Sequence, residues 1–254
     1  MMNARTLVVI PARLASTRLP EKLLLKESGK SVLEHTYEAA RRAEIPSAVW
    51  VATDHPRIAQ EVAGFGGVAK MTSPQASSGT DRLAELASLH PEYDLWINVQ
   101  GDEPEIAPAS IDRVARLLVE HPQASVATLA TPIRRESDYR DPSCVMVVRY
   151  IHGGALYLSR SPIPWDRDGL LAWPPPEDTP PQCLQHLGIY AYKRDFLLQL
   201  NQLPPSRLES TEKLEQLRFL EAGHRIVVDV IDQAPRGIDT RDDYEAFLSR
   251  QRNG

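Results

Sequence analysis

The stretch VVIPARLASTRLPEK, Val8–Lys22, decides how the rest of the chain is read. An apolar strand runs into a turn, as it does in phosphate-binding α/β sheets, yet no glycine occurs between Val8 and Lys22. Arg13, Arg18 and Lys22 stand there instead, spaced by five and four residues. Loops often carry solvated cations. Three of them directly after a first strand make a candidate anion site, because charge-assisted contacts from arginine and lysine suit phosphate oxygens.

Outward from this stretch, apolar runs alternate with amphipathic ones. Thr6–Pro11, Ala48–Thr53, Gly67–Met71, Leu95–Gln100 and Ser125–Ala130 read as strands. Helices fall over Ser31–Glu44, from Pro56, over Asp81–Leu89 and over Pro108–His121. Ser31 with Glu34 fits a capping box, and proline is tolerated in a first helical turn. This rhythm predicts an α/β fold, with a mostly parallel sheet covered by helices on both faces.

Beyond residue 130 the pattern loosens. Val145–Arg149 and Ala155–Ser159 read as strands, and Ser161–Gln182, with seven prolines, as an extended loop. A strand at Leu187–Tyr192, helices near Arg194–Gln202 and over Thr211–Ala222, and a strand at Arg225–Val230 follow. Thr240 with Asp243 opens a last helix. No internal repeat or composition break appears, so residues 1–254 read as a single domain with an irregular excursion around 131–186.

The 254 residues are 42% hydrophobic and 25% charged, a globular composition. A net charge of −5 argues against a nucleic-acid partner, whose binder would be basic overall. Cys144 and Cys183 form no CxxC and are expected to be reduced thiols. With no signal-like h-region and no membrane-length apolar run, the expectation is a soluble cytoplasmic protein without a membrane partner.

Ser28–Ser31, SGKS, imitates the tail of a phosphate-binding loop, but the position of its first glycine is Leu24 and no strand leads directly into it. NVQGDEP, Asn98–Pro104, is more informative. A carboxylate at a strand end, beside a glycine that lets a ligand approach the backbone, suits a Mg²⁺ bridging phosphates, though an ordinary Gly-Asp turn would read the same way. None of the seven histidines has zinc-site spacing, and His186 alone would read as a packing residue.

Seven stretches in order along nearly the whole chain carry a stronger signal: VVIPARLASTRLPEKLL, SSGTDRLAEL, NVQGDEPEI, LYLSRSPIPWDRD, HLGIYAY, LEQLRFLEAG and GIDTRDDYE. Together they closely resemble the 3-deoxy-manno-octulosonate (Kdo) cytidylyltransferases, or CMP-Kdo synthetases. The resemblance implies a fold of the nucleotide-diphospho-sugar transferase kind, a homodimer, Mg²⁺, and conversion of CTP and Kdo to CMP-Kdo and pyrophosphate for lipopolysaccharide biosynthesis. Carried over position by position, it puts Arg13 and Lys22 on the CTP phosphates, with Arg18 alongside as a nucleotide-binding residue, and Ser78, Gly79 and Arg82 around the nucleotide. Gln100, Arg160, His186, Tyr190, Glu215 and Gln216 fall on the sugar, with Trp165–Arg167 in the sugar-side loop. Asp102 and Asp239 would hold the metal, and with Arg13 and Lys22 make up the catalytic set. The excursion would serve the dimer and the sugar.

Three positions depart from the family pattern. Glu21 stands where glycine is common, Met146 where lysine is, and Gln185 where a basic residue precedes His186. They leave open another acid sugar, such as 8-amino-Kdo or sialic acid. A non-catalytic binding protein is the other alternative, and retention of both Asp102 and Asp239 weighs against it. The chemistry fits the cations: an anionic triphosphate repels an acid sugar, so positive groups must hold both. No side chain stands out as a general base. Two neighbouring carboxylates repel without metal, so replacing either by Asn is expected to leave stability level or raise it.

Overall fold

Continuous apolar runs, rather than alternating ones, build the strands of the computed structural model, which describes residues 4–176, 181–232, 234 and 237–253. The first half runs β1 (Thr6–Pro11), α1 (Val32–Arg41), β2 (Ala48–Thr53), α2 (Pro56–Gly64), β3 (Ala69–Met71), α3 (Gly79–Leu89), β4 (Leu95–Asn98) and α4 (Pro108–Glu120). Next come β5 (Val126–Pro132), α5 (Glu136–Arg140), β6 (Met146–Arg149), β7 (Ala155–Ser159) and β8 (Leu184–Lys193). The chain closes with α6 (Arg194–Gln199), α7 (Arg207–Glu212), α8 (Gln216–Glu221), β9 (Ile226–Val230) and α9 (Arg241–Asn253). Single 3₁₀ turns lie at Lys22–Leu24 and Leu200–Gln202. The fold is α/β with mostly parallel pairing in its main sheet, as the sequence pattern implies.

Two compact units emerge. The first takes the described residues of 1–115, 191–201 and 235–254. Its strands pair in parallel in the order β3-β2-β1-β4, with Val8 opposite Val49 on one side and Ile97 on the other. Leu7, Val8, Val9 and Ile10 are fully buried, so both faces of β1 are covered, as parallel strands require. Caps fix where the helices begin. The Ser31 hydroxyl accepts from Glu34 N at 3.1 Å, and Ser78 and Asp81 cap α3 reciprocally, starting it at Gly79, two residues earlier than expected.

Two close approaches shape the strand ends. A Cβ on Gly101 would lie 3.3 Å from both the Pro11 carbonyl and Leu23 Cδ1, and one on Gly79 would lie 3.1 Å from Pro11 Cγ. A Cβ there would force Pro11 or Leu23 to give by a few tenths of an ångström, so glycine eases the close approach of the turn after β4 to the 3₁₀ turn that begins with Lys22. At the other end of the chain, the Tyr244 hydroxyl accepts from Glu27 N at 2.9 Å and donates to the Glu27 carboxylate, and Arg250 pairs with Glu105 at 2.6 Å. These contacts moor α9 and the segment before it.

The second unit takes the described residues of 116–190 and 202–234. Here β5 pairs in parallel with β9, while β6 is antiparallel to β7 and, through Met146 opposite Gln185, to β8. Ile133, Tyr139, Cys144, Met146 and Cys183 form a buried cluster, with the Trp173 ring 5.4 Å from Tyr139. Both cysteines are free thiols.

Several expectations change here. The helix expected over Thr211–Ala222 is two helices: Ser206 caps α7 earlier, accepting from Glu209 N at 2.9 Å, and Lys213, at φ 55°, ends it in a left-handed cap. The short α5 is added, and β8 extends to ten residues. The proline-rich segment 161–182 holds no helix or strand among its described residues, and 177–180 lie outside them. No described helix is long and apolar enough to cross a membrane.

Gly101→Ala should be destabilising by about 1–3 kcal/mol, because a backbone carbonyl on one side cannot yield cheaply. Urea denaturation of both proteins measures this. Equal midpoints would mean that the turn has slack to absorb the methyl group.

Candidate active site

Beyond the carboxyl ends of β1 and β4, where ligands of open α/β sheets bind, the first unit has a cavity of ≈ 360 Å³. Arg13, Arg18, Lys22, Gly79, Gln100, Asp102 and Asp239 line it, with Ser16 and Thr17. Seven residues expected at the site from separate parts of the chain thus share one space. Arg13 donates to the Ala76 carbonyl at 2.8 Å, tying its loop to the segment before α3, and Arg18 pairs with Asp239 at 2.9 Å. Ser78 and Arg82 are not in this lining. The Ser78 hydroxyl is the α3 cap. Arg82 is buried, donating to Thr72 Oγ1 at 2.6 Å and pairing with Asp54 at 3.2 Å, while its Nε has no partner.

Lys22 is the centre of the cavity's electrostatics. Its ammonium contacts Asp102, reaches Asp239 Oδ1 at 3.0 Å and donates to the Ile238 carbonyl at 2.8 Å. Burial lowers its pKa, but the Asp102 charge and hydrogen bond, with those from Asp239, outweigh this and hold it above the ordinary lysine value. Lysine therefore stays charged across the neutral range. The two carboxylates do not face each other bare, so the expectation that Asp→Asn would leave stability level or raise it is replaced by a loss.

The donors present fit a hard divalent cation in part. Among the described residues no group of three or more His, Cys, Asp or Glu could enclose a metal. Asp102 and Asp239 supply two carboxylates gathered at one point, and a Mg²⁺ site of that kind is completed by substrate phosphates and water. Glu103 stands with Asp102 among the charges at the strand end, and the sequence assigns it no role. Burial, and then the Asp102 charge, push its carboxyl up to about 8, so it is a neutral acid at pH 7. Its place in the acidic doublet after β4 was the only signal.

In the second unit His186 and Tyr190 lie on one face of β8, their rings 5.3 Å apart. His186 is buried with Nε2 3.0 Å from Thr128 Oγ1, which is itself 2.7 Å from the Ile189 carbonyl. The Leu187 and Ile189 carbonyls, at 3.1 and 2.7 Å, compete for the one hydroxyl proton, an arrangement that favours the His186 tautomer with its proton on Nε2 and Nδ1 as acceptor. Thr128 was missed because its proximity depends on strand pairing. Arg160 has its guanidinium on the carbonyls of Glu212 (2.7 Å) and Pro142 (3.0 Å). Glu215, paired with Arg218 at 3.2 Å, and buried Gln216 open α8. Trp165 is exposed in the proline-rich segment. Met146 and Gln185 face each other across β6 and β8, on the strand face opposite His186, and Met146 is core.

Burial depresses the His186 pKa to about 4. The unfolded chain takes up its proton near pH 6.5 and the native one only near 4, so stability falls as pH drops through that window. The loss should be about 2–3 kcal/mol between pH 6.5 and 4.5. Unfolding free energies over this range should slope less in His186→Gln than in the wild type. Parallel curves would contradict the buried neutral imidazole.

Comparison with known proteins bears on what this site does. A cytidylyltransferase family model matches residues 7–226. A 3-deoxy-manno-octulosonate cytidylyltransferase of Rhodopirellula baltica is 50% identical over 97% of this chain and 98% of its own. One from Geobacter sulfurreducens is 46% identical, over 95% and 97%. Among solved structures, a CMP:2-keto-3-deoxy-manno-octonic acid synthetase complexed with CTP superposes with a TM-score of 0.89 at 41% identity, over 98% and 99% of the two chains. On identity sustained over nearly full length, the chain belongs to the 3-deoxy-manno-octulosonate cytidylyltransferase family.

Proposed function

We propose that the chain transfers CMP from CTP to Kdo. The observation that carries this reading is the convergence of Arg13, Arg18 and Lys22 with two carboxylates, Asp102 and Asp239, around one cavity at the strand ends. The Kdo anomeric 2-hydroxyl oxygen forms a bond to the α-phosphorus, the bond to pyrophosphate breaks, and the hydroxyl proton is released. Both substrates are anions, so the arginines and Lys22 hold the triphosphate and offset charge that develops on the leaving group. Mg²⁺, held by Asp102 and Asp239, would supply Lewis-acid stabilisation of the same charge. With the carboxylates so engaged, the Lys22 ammonium is available to phosphate.

Ser78, Gly79 and Arg82 belong to the nucleotide half of the reading, with Arg82 shaping the loop from within. Gln100, Arg160, His186, Tyr190, Glu215 and Gln216 are assigned to the sugar. His186 Nδ1, an acceptor, suits a hydroxyl rather than the Kdo carboxylate. Kdo is favoured over 8-amino-Kdo or sialic acid because the Met146 and Gln185 departures lie on the other face of the strands from His186. A homodimer is part of the same proposal: Ile151, Trp165 and Leu170, all in the 131–186 excursion, are 76% exposed or more. So are a cytoplasmic setting, which the two free thiols suit, and the reading of 1–254 as one nucleotidyltransferase domain.

Mass spectrometry of the products from CTP, Mg²⁺ and a panel of acid sugars should give CMP-Kdo and pyrophosphate, with Kdo preferred. Asp239→Asn should then lose at least about tenfold in turnover at limiting Mg²⁺, the scale of one lost charge-stabilising contact. Wild-type turnover in that variant would reduce Asp239 to a turn residue.

A further inference from the structure

Glu21 is an odd residue for its place. It has φ 50°, a left-handed conformation that suits glycine, and it immediately precedes Lys22. The residue that follows it, Lys22, lines the cavity read as the triphosphate site. Neither property would be useful alone, yet the side chain is fully engaged: both carboxylate oxygens take hydrogen bonds from the Arg57 guanidinium, one at 2.8 Å. One helical turn along α2, Glu61 takes a second contact from the same loop, with Lys26 at 2.7 Å.

These two pairs have opposite polarity. Arg57 and Glu61, four residues apart on one face of α2, meet Glu21 and Lys26 on either side of the 3₁₀ turn. Sliding the loop by one turn of α2 would set like charges against each other, so the arrangement admits one register only. Arg57 itself lies outside the cavity lining. It also neutralises a carboxylate that would otherwise repel triphosphate.

We propose that α2 is a positioning element for the nucleotide half of the reaction: Arg57 and Glu61 clasp the turn carrying Lys22 through Glu21 and Lys26, and Arg57 thereby sets CTP affinity without touching CTP. The proposal rests on the reading of Lys22 as a phosphate-site residue. The clasp holds a glutamate at a left-handed position that would suit glycine.

The test is steady-state kinetics of Arg57→Ala, the double variant Arg57→Ala/Glu21→Gly and Lys22→Ala, with thermal melts. Arg57→Ala should raise the KM for CTP about tenfold, the scale of one weakened charge-assisted contact, and leave the KM for Kdo unchanged. Adding Glu21→Gly should restore most of the loss, since glycine adopts the left-handed turn unaided and leaves no carboxylate to mask. An Arg57→Ala enzyme with wild-type KM overturns the proposal. So does a double variant no better than the single one, which would mean that Arg57 acts on CTP by itself. A rise in both KM values with a lowered melting temperature would assign Arg57 a merely structural role and overturns it too. A silent Lys22→Ala would instead remove the phosphate-site reading, and the proposal with it.

Discussion

The Lys22 ammonium joins three segments that the chain keeps far apart: its own turn after β1, Asp102, 80 positions on, and Asp239, 217 positions away. Taking an ammonium partly out of water costs free energy, and one exposed partner would repay little of it. Two carboxylates and the Ile238 carbonyl satisfy its donors here, and its side chain is only 14% exposed. The charge is thereby fixed at the cavity where the proposed triphosphate would lie. The same contact holds Asp102 and Asp239 together, as the proposed Mg²⁺ site requires, with a cation between them.

Much of the surrounding structure serves this one contact. Gly79 and Gly101 let α3 and the turn after β4 press against Pro11 and Leu23. The Thr36 hydroxyl donates to the Gly101 carbonyl at 2.9 Å, and Ile238 N donates to the Asp102 carbonyl at 2.8 Å, so the backbone on both sides of Asp102 is fixed. Glu27 and Glu105, bonded to Tyr244 and Arg250, hold α9 and so bring Asp239 into range. Positioning of this kind is what charge stabilisation requires, because a group that must reorganise during reaction contributes less.

How much of this could be read beforehand follows from the range of each interaction. β2 and β7 have the bounds their apolar runs imply, and Ser31 and Thr240 act as the caps their spacing implies, because those signals are local, whereas the Ser78 cap was not read from the sequence. The three cations and Asp102 were visible as charges at strand ends, and the family resemblance supplied Asp239. Long-range partners were not visible. Thr128 reaches His186 only through strand pairing, Arg57 reaches Glu21 across 36 residues, and the buried Arg82 finds Asp54 and Thr72 at the ends of two other segments. The break between α7 and α8 escaped because Lys213 is an ordinary helix former and its left-handed conformation has no sequence mark.

The central claim is energetic coupling through Lys22, and a double-mutant cycle tests it most directly. Unfolding free energies of the wild type, Lys22→Met, Asp102→Asn and the double variant, measured in metal-free buffer, give the interaction term. The two half-buried groups should couple by about 1–2 kcal/mol, so that the second substitution costs less than the first. Strict additivity of the two single effects would show that the ammonium and the carboxylate do not hold each other in place, and would contradict the account.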